Sequence, residues 1–284
     1  MKVLVTGANG GLGRLLITRL AAEGRDELFL TGRAAAGLRN YVACDITDPR
    51  AVAQLVRNIQ PDRVFHLAGS FSGDYERDRA INADGALHVC EAVRLMPFRT
   101  RIIVIGSAAE YGAVSPEENP VSENRVLRPV SIYGLTKALQ THIASFYANH
   151  FSMDIVVARL FNLLTTGLSD RLFVGRAERL IQRFKRGEIA TMEFGNLSST
   201  RDYVEGEAAV DQLLRIADKG ERGDVYNVAS GIPIEMRVLL LRLLQDAGLD
   251  QSAVREAPDL SVRTGYDAPS IYADTSKTRG LADA

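Results

Sequence analysis

Val3-Leu4-Val5-Thr6-Gly7-Ala8-Asn9-Gly10-Gly11-Leu12-Gly13 runs a short apolar, β-branched stretch straight into spaced glycines, and an amphipathic stretch follows. Strand, glycine turn and helix in that order open a βαβ unit. In such a turn the first glycine permits a tight reversal, the second lets the backbone approach a pyrophosphate, and the third lets helix and strand pack closely. The phosphates then rest on the free N–H groups of the helix N-terminus, where the dipole favours negative charge. Three glycines alone are a weak signal in a chain that has 24. At the first strand-to-helix turn they point to a dinucleotide cradle.

Outward from that turn, β-branched runs at residues 2–6, 27–31, 41–44, 63–67, 101–105 and 155–159 alternate with helical periodicity at 12–23, 50–58, 79–94 and 132–150. This is the pattern of an α/β fold, a doubly wound parallel sheet covered on both faces. Pro49 and Asp78 stand where helix starts want them. Beyond Asn162 the rhythm loosens. Residues 167–187 read as a loop then a helix, and the last third mixes short strands with helices at 204–219 and 235–247. The expected division is a dinucleotide-binding domain over 1–162 with about 197–229, and a smaller C-terminal substrate lobe over about 163–196 and 230–284.

A chain of 284 residues can bury a core of that size. Its net charge of -1 creates no field that would recruit a nucleic-acid backbone or an anionic membrane, which leaves a small molecule as the expected partner. Cys44 and Cys90 show no paired spacing, and the chain starts directly on a strand without a secretory segment. A cytoplasmic location with reduced thiols is the expectation. No apolar stretch approaches the ~18 residues of a membrane span. His66, His88, His142 and His150 are scattered, so no metal site is expected.

The end of the second strand selects between the two nicotinamide cofactors. An acidic residue there grips the adenosine 2′-hydroxyl and repels a 2′-phosphate, and a basic residue does the reverse. Leu30-Thr31-Gly32-Arg33 ends on arginine, which favours NADP over NAD. Asp45-Ile46, after the third strand, is placed to meet the adenine edge, or Asp45 caps its own turn.

Tyr133-Gly134-Leu135-Thr136-Lys137 puts a phenol and an ammonium four apart at the start of a long helix, on one face. A phenol with its ordinary pKa near ~10 is a poor acid or base at neutral pH, and a neighbouring ammonium lowers that value. The lysine also reaches toward a cofactor ribose. Ser107, directly after an apolar strand, offers a hydroxyl to hold a substrate oxygen beside Tyr133, or serves as a helix cap.

Together these residues resemble the extended short-chain dehydrogenase/reductase family, which acts on nucleotide-activated sugars, and the likeness covers nearly the whole chain. Thr6 to Gly13 resembles the family's cofactor turn, so the resemblance assigns Gly7, Asn9, Gly10, Gly11, Leu12 and Gly13 to cofactor binding. Phe65-His66-Leu67-Ala68-Gly69 resembles the strand beneath the cofactor, which adds Leu67, Ala68 and Gly69. Asn82-Ala83-Asp84-Gly85 resembles the segment that buttresses the active site, which adds Asn82. Ser107, Tyr133 and Lys137 fall on the catalytic trio. Arg159-Leu160-Phe161-Asn162 resembles the segment leading to the sugar nucleotide, with Leu160 toward the cofactor and Asn162 toward substrate. Arg201-Asp202-Tyr203-Val204 resembles the stretch where an arginine meets the nucleotide's phosphates, and 226–231 resembles a strand and turn closing the lobe.

The family's fold is Rossmann-like, and its members divide by chemistry. Sugar 4,6-dehydratases carry an acidic pair just after the serine or threonine of the trio, where this chain has Ala108 and Ala109. Glu110 is displaced from those positions. That leaves a reductase, an epimerase that keeps NAD, or a non-catalytic NAD(P) sensor on the same fold, which has less need of the trio. Arg33 favours the reductase, and residues 106–130 and 153–162 look most similar to GDP-4-keto-6-deoxy-mannose reductases. The resemblance also implies a homodimer paired through long helices. Leu163-Leu164-Thr165-Thr166-Gly167 lacks the family's usual proline and paired glycines, and the chain ends where relatives carry another helix. A reshaped sugar pocket and a trimmed lobe are the expectation.

Overall fold

The computed structural model describes residues 1–33, 40–257 and 268–283. Of the lobe expected over 230–284, positions 258–267 and 284 lie outside the described residues.

Through the first two thirds, strand and helix alternate: β1 (Lys2–Thr6), α1 (Gly11–Glu23), β2 (Glu27–Gly32), β3 (Tyr41–Ala43), α2 (Pro49–Ile59), β4 (Arg63–His66), α3 (Tyr75–Arg79), α4 (Gly85–Arg94), β5 (Arg101–Ser107), α5 (Ile132–His150) and β6 (Ile155–Leu160). Shorter pieces follow: β7 (Asn162–Leu164), α6 (Phe173–Lys185), β8 (Met192–Phe194), β9 (Thr200–Glu205), α7 (Gly206–Lys219), β10 (Val225–Val228), β11 (Pro233–Glu235), α8 (Met236–Asp246), β12 (Val254–Glu256), β13 (Ser270–Ile271) and α9 (Ser276–Asp283).

Seven strands make one sheet in the order β10-β6-β5-β4-β1-β2-β3, every neighbouring pair parallel. Chain order reverses between β1 and β4, so the crevice of this Rossmann-like sheet opens there, at the carboxyl ends of the strands. Both faces are apolar. Val3, Val5, Phe65 and Ile103 pack with Leu16, Leu20 and Leu213 on one side. Leu4, Val64, Ile102 and Val104 pack with Val52, Val56 and Val89 on the other. Burial of each such side chain is worth ~1.5–3 kcal/mol, which is why these strands read as nearly unbroken apolar runs. No helix among the described residues is long and apolar enough to cross a membrane.

Three expectations change. The helix foreseen over 79–94 is interrupted: α3 ends at Arg79, a π-helical turn spans Ala80–Asp84 with Gly85 N–H bonded to the Ala80 carbonyl, and α4 starts afterwards. Asp78 does not cap a helix. Asp74 does, accepting from Arg77 N–H at 2.8 Å, and Asp78 lies buried inside α3. The helix foreseen from 204 starts at Gly206, because Thr200–Glu205 is a strand. That strand pairs with β7, β11 and β13 in a second sheet, separate from the seven-stranded one.

Candidate active site

The turn after β1 makes the tight reversal and the close helix–strand packing expected of its glycines. Gly7 has φ +68°, and a Cβ there would come within 2.7 Å of Ala68 N, so only glycine brings β1's end this close to the segment after β4. Gly10 caps α1 without any side-chain hydrogen bond, and the first turn has no acidic residue. The helix therefore presents N–H groups with no side chain competing for them, which suits a pyrophosphate. Gly11 and Leu12 form the helix's first turn, and Gly13 is buried behind it. Leu67, Ala68 and Gly69 follow β4 at the same edge; Ala68 N–H donates to Thr6 Oγ1 at 3.2 Å. Asn9 Nδ2 donates to Tyr41 Oη at 3.0 Å, beside the exposed Arg33 at the end of β2.

The segment after β7 crosses this cradle. Arg14 donates to the Gly167 carbonyl at 2.9 Å, and Leu168 lies so near Gly11 that a Cβ there would meet it at 2.6 Å. Arg171 reaches the Phe71 carbonyl at 3.4 Å. The stretch that lacks the family's proline and glycines is thus tied to the cofactor turn itself.

Two adenine-side candidates are otherwise engaged. Asp45 accepts from Thr47 N–H at 3.0 Å and Thr47 Oγ1 at 2.8 Å, so its carboxylate caps its own turn. Those bonds hold its pKa below the ordinary range, and Arg33's charge helps. Ile46 is buried in the core against Gly85, and its carbonyl bonds the His88 ring at 2.9 Å. Asn82 is a positioning residue. It is fully buried, donating to the Ser70 carbonyl and Thr136 Oγ1, both at 2.8 Å, and accepting from Ser70 N–H. The π-helical turn lets its amide stitch the 67–72 loop to α5.

Ser107, Tyr133 and Lys137, the residues expected to handle protons, come together toward the carboxyl end of β5. Ser107 is its last residue and caps a 3₁₀ turn over Ala108–Glu110, accepting from Ala109 N–H at 3.2 Å. The turn-capping reading of this serine therefore holds, and its hydroxyl also lies near enough to Tyr133 to lower the phenol's pKa. Gly134 makes that possible: a Cβ on it would run into the Ala109 carbonyl, so glycine lets the start of α5 settle on the turn. Ser131 caps α5, accepting from Gly134 N–H at 3.0 Å. Phe71 packs edge-on to Tyr133, with ring centres 6.0 Å apart. Its loop is held by buried Asp78, which accepts from Ser70 Oγ at 2.6 Å, Ser72 Oγ at 2.7 Å and Gly73 N–H at 3.0 Å.

The electrostatics depart from the sequence-based expectation. Lys137 is buried, and its ammonium bonds the Ile105 carbonyl and Gln140 Oε1 instead of standing against the phenol. Burial brings its pKa down to about 8, with Glu110 pulling the other way. Burial raises the Tyr133 phenol; the hydrogen bond with Ser107 lowers it, and Glu110 and Asp78 raise it. Tyr133 therefore keeps a proton to give at neutral pH. Glu110 is fully buried and spent on Ser107, Thr141 and Arg159, so it cannot serve as an acid or base of an elimination.

The sequence reading missed Gln140, Asp78 and the partners of Glu110. The Ser107-x-x-Glu110 spacing of a capping box was the one signal that could have exposed Glu110. On the substrate side, Asn162 donates to the Asp202 carbonyl at 2.9 Å, and half-buried Arg201 reaches the Thr200 carbonyl at 2.8 Å. Leu160 ends β6 beneath them. No group of three or more histidine, cysteine or acidic residues able to hold a metal occurs among the described residues.

Comparison with known proteins agrees with this geometry. The model of the NAD dependent epimerase/dehydratase family matches residues 3–229. A GDP-6-deoxy-D-mannose reductase of Pseudomonas aeruginosa is 28% identical over 261 residues, covering 90% of this chain and 83% of its own. A UDP-glucose 4-epimerase of Mycolicibacterium smegmatis is 27% identical, covering 84% and 80%. The structure of RMD from Pseudomonas aeruginosa complexed with NADPH superposes with a TM-score of 0.85 at 25% identity, covering 99% of this chain and 92% of that one.

Proposed function

The chain belongs to the NAD dependent epimerase/dehydratase family, and from that premise we propose that it is an NADPH-dependent reductase of a nucleotide-linked 4-keto-6-deoxy sugar, of the GDP-4-keto-6-deoxy-mannose type. The observation that carries this reading is the Ser107–Tyr133 pair standing over Ala108 and Ala109, with Glu110 committed to the core. Such a site can give a proton to an oxygen but has no second acid and base for elimination. The likeness to the Pseudomonas aeruginosa reductase and to the NADPH complex supports the same choice.

NADPH supplies the hydride when bound. Gly7, Asn9, Gly10, Gly11, Leu12 and Gly13 would hold its pyrophosphate, Arg33 its 2′-phosphate and Lys137 its ribose, with Leu67, Ala68, Gly69 and Leu160 lining the crevice. Tyr133 donates its proton to the substrate's C4 oxygen, and Ser107 holds that oxygen. Asn162 orients the sugar. Arg201 pairs with the diphosphate, a bidentate task suited to guanidinium. A second copy would dock on α4 and α5, where Leu135, Phe146 and Phe151 are exposed.

The test incubates the protein with NADPH and GDP-, dTDP- and UDP-linked 4-keto-6-deoxy sugars and follows loss of NADPH absorbance. Stoichiometric consumption with one of them is expected. A retained-NAD 4-epimerase is the second reading, favoured by the Mycolicibacterium smegmatis relative. Interconversion of 4-hydroxy epimers without net NADPH loss would select it.

A further inference from the structure

Glu110 makes more contacts than a cap requires. Its Oε1 accepts from Ser107 N–H at 2.7 Å, which completes the capping box. Its Oε2 accepts from Thr141 Oγ1 at 2.9 Å and Arg159 Nε at 3.1 Å, with Arg159 Nη2 at 3.0 Å. Both ions are buried, at 0% and 2% exposure. A buried ion pair is a poor stability device, since desolvating two charges takes back most of their attraction. A cap on the surface would satisfy Ser107 without that cost.

What the carboxylate faces supplies a reason. α5 brings Tyr133 and Lys137 toward it: Thr141, which bonds the carboxylate, lies one turn after Lys137, and Lys137 Nζ bonds the Ile105 carbonyl, two residues before Ser107. Arg159 comes from β6, and Tyr111, with Glu123 acting on it, from the segment after β5. His66 of β4 stands beside Lys137, and Asp78 of α3 acts on Tyr133. We propose that Glu110 is a positioning residue for the trio: its buried carboxylate seats Ser107 through the backbone and sets a fixed negative charge beside the start of α5. Arg159 and Thr141 hold that carboxylate in place. Glu110 touches neither substrate nor cofactor; it acts through the three residues that do.

The role rests on the reductase reading of the site, so the experiment includes a readout that needs no turnover. With lysine labelled in carbon-13 and nitrogen-15, the chain's five lysines can be titrated by NMR in the protein alone, and Lys137→Arg identifies the Lys137 signal. The carboxylate raises both Lys137 and Tyr133, so Glu110→Gln lowers both. The Lys137 midpoint, about 8 in the parent protein, is expected to fall by roughly half a pH unit or more in Glu110→Gln. The alkaline limb of kcat/KM for keto-sugar reduction should move the same way. Glu110→Asp keeps the charge and shortens the reach, so it should lower kcat while leaving the midpoint near that of the parent. A folded Glu110→Gln protein with an unmoved Lys137 midpoint overturns the proposal. If that variant does not fold, Glu110→Gln with Arg159→Gln leaves no unpaired charge. Arg159→Gln alone is the reference for that double variant, whose Lys137 midpoint is expected to lie roughly half a pH unit or more below that of Arg159→Gln; equal midpoints again overturn the proposal. A moved midpoint in a protein that reduces no keto sugar supports Glu110's role and rejects the substrate reading.

Discussion

The glycine turn at residues 7–13 and the trio of Ser107, Tyr133 and Lys137 face one crevice but are built in opposite ways. In the turn the working groups are backbone N–H groups, everything comes from one short stretch, and Gly7 sits with its missing Cβ 2.7 Å from Ala68 N. In the trio the proposed working groups are side chains from two segments, seated by buried polar residues: Glu110 and Gln140 from the same two segments, and Asn82 and Asp78 from a third. A site made of backbone fails when an atom is added. A site made of side chains fails when a polar atom is taken away.

The sharpest break in that contrast is Tyr133→Phe, which removes one oxygen. NADPH turnover should fall by roughly 10²–10⁴-fold while NADPH affinity, followed by fluorescence titration, is unchanged. Full turnover in this variant would remove Tyr133 as the acid.

His66 joins the two regions, with Nδ1 at 2.9 Å from Thr6 Oγ1 and its ring beside Lys137. Burial, with Lys137 adding to it, lowers its pKa from 6.5 to about 3. Below pH 6.5 the unfolded chain takes up a proton that the folded chain refuses, so this stabilising contribution is whole above 6.5 and is lost toward pH 3. Urea unfolding across that window should show stability falling by up to about 5 kcal/mol, with a shallower slope in His66→Gln. Equal slopes in the two proteins would detach His66 from the acid response.

Gly7→Ala adds one carbon to the turn. At φ +68° and against the Ala68 backbone it should cost about 3 kcal/mol in thermal or urea unfolding and weaken NADPH binding, the reverse of the Tyr133→Phe pattern. An alanine variant with parental stability and affinity would erase the contrast between the two regions.

The smallest effect belongs to Arg33→Ala, an exposed position. NADPH affinity should drop about tenfold and NADH affinity stay level, since one charge-assisted contact is lost. Stability should hold within about 0.5 kcal/mol. Equal loss for both cofactors would show that Arg33 does not read the 2′-phosphate.

Much of this architecture was legible before any coordinates, and the reason is periodicity. Strands covered on both faces must be apolar throughout, so 2–6, 27–31 and 155–159 announced themselves, as did the long helix from 132. The glycine turn was legible because its spacing is local. Ser107, Tyr133 and Lys137 could be nominated, because strand end and helix start follow from the same patterns. Their electrostatics could not. The i, i+4 spacing suggested an ammonium lowering the phenol, whereas tertiary packing gives that ammonium to the Ile105 carbonyl and Gln140 and leaves burial to raise Tyr133. The π-helical turn at Asn82 and the second sheet through Thr200–Glu205 depend on partners far away in the chain. The sequence by itself determined the layers, the glycine turn and the Tyr133–Lys137 spacing, because each shows in a short-range pattern along the chain. Only the tertiary structure decided which charges meet, because burial and long-range hydrogen bonds set where a proton stays.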